Sequence, residues 1–178
     1  MSGKTTYLEW ERNTRMPVPA PPANACDSQF HIYGDPARYP PKPGALYEPP
    51  NATFEDMMGV LKRMGFARGV IVHPMPYDTD HRLLIDTLAS IPDNKHIRAV
   101  AIIKDHVPDA ELEKLNSLGV RAARFNIGKY YNELHSKEAL KRSMERCREL
   151  GWHARLHVAG PDIVDYADLL SSVRGLTF

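Results

Sequence analysis

From Asn24 onward the apolar positions of the chain switch between two periods. Short runs rich in branched and aromatic residues read as strands: 25–33 (ACDSQFHIY), 68–73 (RGVIVH), 97–103 (IRAVAII), 120–127 (VRAARFNI) and 153–158 (HARLHV). Residues 174–178 (RGLTF) read as the start of a sixth. Between these runs apolar residues recur three and four apart, the period of a helix with one buried face. Thr53 heads a run that aligns Phe54, Met57, Met58, Leu61 and Met64; Asp56 follows at capping-box spacing and Gly65 closes it. A second helix is predicted over about 79–90, around Leu84, Ile85 and Leu88. A third runs from Pro108 to Gly119 around Leu112, Leu115 and Leu118, and a fourth from Ser136 to Gly151 around Leu140, Met144 and Cys147. A fifth starts at Pro161.

Steady alternation of strand and helix predicts parallel strands joined by crossover helices. An open doubly wound sheet and a (β/α)8 barrel both satisfy it. Gly34 stands alone after the first strand, so no glycine-rich phosphate fingerprint is present, and the barrel is favoured. A complete barrel takes roughly 250 residues, whereas this chain has 178. The expectation is an α/β, TIM-barrel type fold that is incomplete, with about five βα units and the start of strand six. The chain is then expected to be the N-terminal part of a longer product. Residues 1–23, ending in Pro17, Pro19, Pro21 and Pro22, are expected to form a flexible arm ahead of a domain spanning 24–178. The second Pro-rich stretch, 36–50, suits neither a helix nor an inner strand and is expected to be an ordered surface excursion.

Charge and cysteine content narrow the partners. Lys plus Arg is 23 against Asp plus Glu 22, so there is no basic excess to attract nucleic acid or a membrane surface. No run approaches the roughly 18 apolar residues of a membrane span, and the first residues lack the apolar stretch of a secretory signal. Two cysteines, Cys26 and Cys147, exclude a disulfide framework and a Cys-rich zinc site. A cytoplasmic location is expected.

Ligands of parallel α/β sheets bind at the carboxyl ends of the strands. The polar residues there are Gln29 and His31, His73, Lys104-Asp105-His106, Arg124 and Asn126, and Arg155 and His157. Each also has a structural reading, as a satisfied histidine or a snorkelling arginine. His81, His96, His135 and His153 lie in helices, helix ends or strand starts and are read as structural, with His73 and His106 beside them. Two imidazoles and a guanidinium, from His31, His157 and Arg124, are expected to face one electropositive cavity. Such a cavity suits a carboxylated substrate, because guanidinium grips carboxylate through two parallel hydrogen bonds.

Asp27-Ser28-Gln29-Phe30-His31 opens a wider likeness. It continues through Ile32-Tyr33-Gly34, Arg38-Tyr39-Pro40, Tyr47 with Pro49-Pro50, Arg121-Ala122-Ala123-Arg124-Phe125-Asn126 and Leu150-Gly151-Trp152-His153. From about Cys26 to the end the chain resembles the amidohydrolase superfamily, in the amidohydrolase-2 branch that contains 2-pyrone-4,6-dicarboxylate lactonase. The resemblance implies a distorted TIM barrel whose lactonase members act without a bound metal. It implies a strand-one His that polarises the ester carbonyl, Arg and Tyr residues that hold carboxylates, and a late-strand Asp that activates water. Carried onto this chain, His31 is the polarising His, Arg124 the carboxylate anchor and Tyr47 a substrate contact from the Pro-rich loop. His157 stands where the lactonase has Tyr.

The departures bear on chemistry. Gln29 replaces the first His of the strand-one pair and is a poor zinc ligand beside imidazole. Arg124 cannot ligate a metal at all. Both count against a binuclear metal site; a mononuclear site built from His31, His157 and residues beyond Phe178 is the remaining metal alternative, and the expectation is no cofactor. The family's second Arg after Arg-Phe-Asn is missing, with Lys129 and Tyr130 in its place. The function expected is therefore hydrolysis of a small carboxylated lactone, with His31 and His157 catalytic and Arg124, Tyr47, Gln29, Asn126 and Lys129 binding substrate. The general base lies beyond this chain, so the isolated 178 residues are expected to be inactive. The alternatives are a sugar-acid lactone isomerase using the same pocket, and an inactive fragment or anion-binding module. The expected partner is a small molecule rather than nucleic acid or membrane; the oligomeric state is not fixed.

Overall fold

The structure is a computed structural model that describes residues 9–92, 96–128 and 136–178. Among the described residues five strands alternate with five α-helices: β1 (Cys26–Phe30), α1 (Phe54–Met64), β2 (Arg68–Val72), α2 (Arg82–Ala89), β3 (Ile97–Ile102), α3 (Asp109–Ser117), β4 (Val120–Asn126), α4 (Lys137–Glu149), β5 (His153–His157) and α5 (Ala167–Ser172). The strands form one sheet in the order β1-β2-β3-β4-β5, and the β1–β2 and β4–β5 pairs are parallel. Each strand lies beside its successor, which is barrel topology. A doubly wound sheet reverses its order at a switch point, so the topology decides between the two candidate architectures. No described helix is long and apolar enough to cross a membrane.

By internal packing the chain divides into two compact units, Met1–Ala99 and Val100–Phe178. In the first unit, α1 begins with a complete capping box. Thr53 Oγ1 accepts from the Asp56 N–H at 3.2 Å, and Asp56 Oδ2 accepts from the Thr53 N–H at 3.0 Å. Asp56 Oδ2 also accepts from the Thr53 hydroxyl at 2.9 Å, and the backbone and hydroxyl hydrogen bonds it accepts from Thr53 hold its carboxyl below the usual range. Thr53→Ala removes half of the box and is expected to cost about 1 kcal/mol in denaturant unfolding. Gly65 ends the helix at φ 77°, the left-handed conformation that a side chain resists. Gly69 of β2 clears space for the layer between helix and sheet: a Cβ there would lie 2.7 Å from Phe30 and 3.1 Å from Leu61. β1 and β2 lose register between Asp27 and Phe30, so β1 carries a bulge in the stretch that holds Gln29.

The Pro-rich stretch is ordered by specific anchors. The Tyr33 N–H bonds the Ala52 carbonyl at 2.7 Å and closes the excursion at its base. Arg38 Nη2 and Tyr39 Oη both donate to Asp86 Oδ2 on α2, at 2.6 and 2.8 Å. Burial, followed by this carboxylate, raises the Tyr39 hydroxyl pKa. Lys42 pairs with Asp78 at 3.1 Å. Ahead of β1, Thr14 accepts from Arg63 Nε of α1 at 3.2 Å, so this part of the N-terminal segment lies against the helix.

In the second unit, Ser136 caps α4 through the Ala139 N–H, and Pro108 precedes α3. Leu112 and Leu115 of α3 and Leu140, Met144 and Cys147 of α4 are buried, as are Val120, Ala123 and Phe125 of β4. Burial pushes the Cys147 thiol up to about 12, so it is packing rather than a nucleophile. Arg146 ties α4 to the start of α3, with Asp109 at 2.6 Å. Two predicted elements differ in form. The fifth helix begins as a 3₁₀ stretch, Gly160–Tyr166, before α5. Residues 174–178 are not regular strand, yet the Thr177 carbonyl accepts from the Ala154 N–H at 2.8 Å, a first rung beside β5.

Candidate active site

The strand ends place the predicted residues in two groups, one in each unit. His31 follows β1 directly and is half-buried. Its Nδ1 lies 2.7 Å from the Val72 carbonyl at the end of β2. A carbonyl oxygen only accepts, so Nδ1 carries the proton and His31 works through Nε2. His31 also lines a cavity of about 270 Å³ whose other walls include Trp10, Ala52, Met57 and Val60. Its ring meets Tyr33 edge-on at 6.3 Å between centroids, and Tyr33 and Tyr47 share a hydrogen bond between hydroxyls 3.1 Å apart. Tyr77 Oη in turn accepts from the Gly34 N–H at 3.2 Å. The structure thus gathers His31, Tyr33 and Tyr47, with Tyr47 supplied by the Pro-rich loop. Gln29 is exposed within β1.

The second group is built by alternation along β4 and β5. Arg124 is only 6% exposed. Its Nε donates to Asn126 Oδ1 at 2.8 Å, and its Nη2 hydrogen-bonds His157 Nδ1. Guanidinium never accepts, so His157 Nδ1 is the acceptor and the proton of this neutral imidazole sits on Nε2. His157 is therefore a hydrogen-bond donor at Nε2 without being charged. A water-sized opening beside Arg124 is bounded by Lys104, Asp105, Asn126 and Ser143. Lys129 lies outside the described residues.

His73 is the residue whose environment the sequence conceals. It follows β2, is fully buried, and packs against the equally buried His81, with 5.2 Å between ring centroids and the planes tilted by 52°. Its Nε2 has no hydrogen-bond partner. Burial first, then His81, drives its pKa well below the usual histidine range. Among the described residues no three His, Cys, Asp or Glu side chains are grouped to hold a metal ion. Tyr33 and Tyr77 were not singled out as site residues by the sequence; the one trace of them is Tyr33 within the Ile32-Tyr33-Gly34 motif.

The family model described as Amidohydrolase matches residues 26–178. The chain belongs to the amidohydrolase family. Similar proteins include a 2-pyrone-4,6-dicarboxylate hydrolase of Comamonas testosteroni, 30% identical over 94% of this chain and 54% of its own length. A 4-sulfomuconolactone hydrolase of Rhizobium radiobacter is 33% identical over 86% of this chain and 51% of its own length. The crystal structure of a putative 2-pyrone-4,6-dicarboxylic acid hydrolase from Pseudomonas putida superposes with a TM-score of 0.71 and 29% identity, covering 86% of this chain and 55% of the other. An apo structure from Agrobacterium tumefaciens gives a TM-score of 0.75 at 25% identity, over 93% and 57% of the two chains. The amidohydrolase chain described here spans about half the length of the curated relatives it matches.

Proposed function

We propose that this amidohydrolase chain carries the substrate-orienting part of an enzyme that hydrolyses a small carboxylated lactone. The observation that carries the reading is the Arg124–Asn126–His157 cluster: a buried guanidinium oriented by hydrogen bonds to Asn126 and His157, next to an imidazole that donates from Nε2. Lactone hydrolysis needs both functions. Water adds to the carbonyl carbon, the ring C–O bond breaks, and the ring oxygen takes up a proton. Negative charge develops on the carbonyl oxygen, and a fixed N–H donor stabilises it without reorganisation. In this reading His157 donates to that oxygen and Arg124 holds the carboxylate through its planar fork. His31 acts through Nε2, donating as imidazolium or accepting as neutral imidazole. Tyr47, Gln29, Asn126 and Lys129 contact substrate, and the base that activates water comes from outside these 178 residues. The reaction runs without a metal ion, in a cytoplasm that keeps the thiols of Cys26 and Cys147 reduced.

The test is a panel of carboxylated lactones and pyrones offered to the full-length gene product, with and without EDTA. Ring opening at undiminished rate in EDTA is the expected result. Loss of turnover on chelation and its return with zinc would overturn the metal-free reading. A second reading, lactone isomerisation, is favoured by a D-galactarolactone isomerase of Agrobacterium fabrum, 27% identical over 89% of this chain. A shifted ring without net hydrolysis would decide for it.

A further inference from the structure

Tyr47 joins the His31–Tyr33 group from a loop that has little backbone with which to hold itself. Six of the fifteen residues 36–50 are proline, which offers no N–H to a turn or a ladder. Order has to come from neighbouring elements. Asp35 first shapes a tight turn. Its carbonyl accepts from the Arg38 and Tyr39 N–H groups at 3.0 and 2.8 Å, and its Oδ1 accepts from the Ala37 N–H at 2.9 Å. The turn presents Arg38 and Tyr39 together to α2, where Asp86 Oδ2 takes a hydrogen bond from each. The Tyr39 ring fills a slot: a Cβ on Gly34 would lie 2.4 Å from that ring and 3.0 Å from Leu83 of α2. The Arg38 guanidinium lies over the same ring, 4.9 Å from its centroid. The two bonds to Asp86 differ in kind. Arg38 and Asp86 are 68% and 45% exposed, and an exposed ion pair alone holds little. Tyr39 is buried, and its hydroxyl donates to a charged oxygen, which makes the stronger, charge-assisted bond. Just downstream, the Lys42 N–H bonds the Pro76 carbonyl at 2.7 Å, and the Lys42 carbonyl accepts from the Ala45 N–H at 3.1 Å. Tyr47 follows two residues later.

We propose that Asp86 is a positioning residue: by clasping Arg38 and Tyr39 it fixes the course of the Pro-rich loop and so places Tyr47 at the substrate site. Asp86 acts through the loop and touches no reacting atom. The kinetic half of this inference rests on the lactonase reading given above, in which Tyr47 contacts substrate. The ordering of the loop does not depend on that reading.

The experiment uses the full-length gene product and its Asp86→Ala, Asp86→Asn and Tyr39→Phe variants. Alanine suits an exposed helix position, and thermal melting establishes that each variant is folded at the assay temperature. Hydrogen exchange followed by mass spectrometry reads a peptide covering 40–48, which holds the bonded amides of Lys42 and Ala45. Asp86→Ala is expected to speed exchange there about tenfold and to leave β2 unchanged. Tyr39→Phe, which keeps the ring and loses the donor, is expected to act in the same direction. Asp86→Asn keeps an acceptor and is expected to fall between wild type and Asp86→Ala. With a carboxylated lactone, Asp86→Ala is expected to raise KM about tenfold and to change kcat far less, and Asp86→Asn to recover part of the loss. A wild type that opens no lactone sinks only the lactonase reading, and faster exchange around Tyr47 then supports the inference by itself. Unchanged exchange over 40–48 in a folded Asp86→Ala protein overturns the inference whatever KM does. Faster exchange with unchanged KM in an active enzyme overturns it too and leaves the lactonase reading standing. Faster exchange in β2 as much as in the loop marks a general loss of stability and overturns it as well.

Discussion

Arg124→Gln is expected to lower kcat/KM for a carboxylated lactone by about 100-fold, the consequence of removing one partner of a desolvated charge pair. The effect follows from how the side chain is held. Arg124 is buried on β4, and its Nε and Nη2 are committed to Asn126 and His157. Glutamine of similar reach keeps a polar group there but loses the charge and the fork. The loss also releases His157 Nδ1 from its donor, so the imidazole is free to adopt the other tautomer and its Nε2 no longer carries a proton by default. Binding and oxyanion stabilisation should therefore fall together, seen as a rise in KM and a fall in kcat. Arg124→Lys separates the terms: it restores charge without the two-point geometry, and kcat/KM is expected to stay at least about tenfold below wild type. Circular dichroism and thermal melting establish that each variant is folded at the assay temperature. A folded Arg124→Gln protein with kcat/KM within threefold of wild type removes Arg124 from the site.

Much of this arrangement was legible in the sequence, and particular residues show why. Thr53, Asp56, Gly65, Pro108 and Ser136 act through local backbone chemistry, so their roles as caps and stops follow from spacing alone. Period-two alternation placed Arg124 with Asn126 and Arg155 with His157 on common faces, and the register adds that the two faces are one. The excursion after β1 was readable as non-strand from its prolines, but its anchors were not. Asp86 lies 47 residues from Tyr39 and looks like any exposed helix acid. Tautomers were equally hidden. The protonated nitrogens of His31 and His157 are set by the Val72 carbonyl and by Arg124, partners that only the pairing of strands brings near. The family likeness supplied roles for His31 and Arg124, whereas the pairing supplies the atoms through which they act. The bulge in β1 and the 3₁₀ entry into α5 depend on packing rather than composition.

His73 yields a second large effect, on stability rather than turnover. Its imidazole is sealed after β2, packed against His81, near Tyr77, and hydrogen-bonded to the Asp78 backbone. Burial keeps it neutral in the native state and places its pKa well below the usual histidine value; His81 and His31 push the same way, while Asp80 opposes them. In the unfolded chain the same group titrates near its ordinary value of about 6.5. Below that value the unfolded state binds a proton that the native state refuses, so stability rises with pH in this window and is lost as pH falls towards the native pKa. The slope for one such group is about 1.4 kcal/mol per pH unit. Acidification from pH 7.5 to 5.0 is then expected to lower stability through His73. Asp56, Asp80 and Asp105 have pKa values lowered in the native state. Their contributions are present above the ordinary carboxylate range and fade only at more acid pH, so they do not mimic the loss. His73→Asn keeps a side-chain N–H near the position of Nδ1 but does not titrate. Denaturant unfolding at the two pH values should show a smaller acid penalty in the variant than in wild type. An identical penalty in both proteins would assign the acid sensitivity elsewhere and remove His73 as its source.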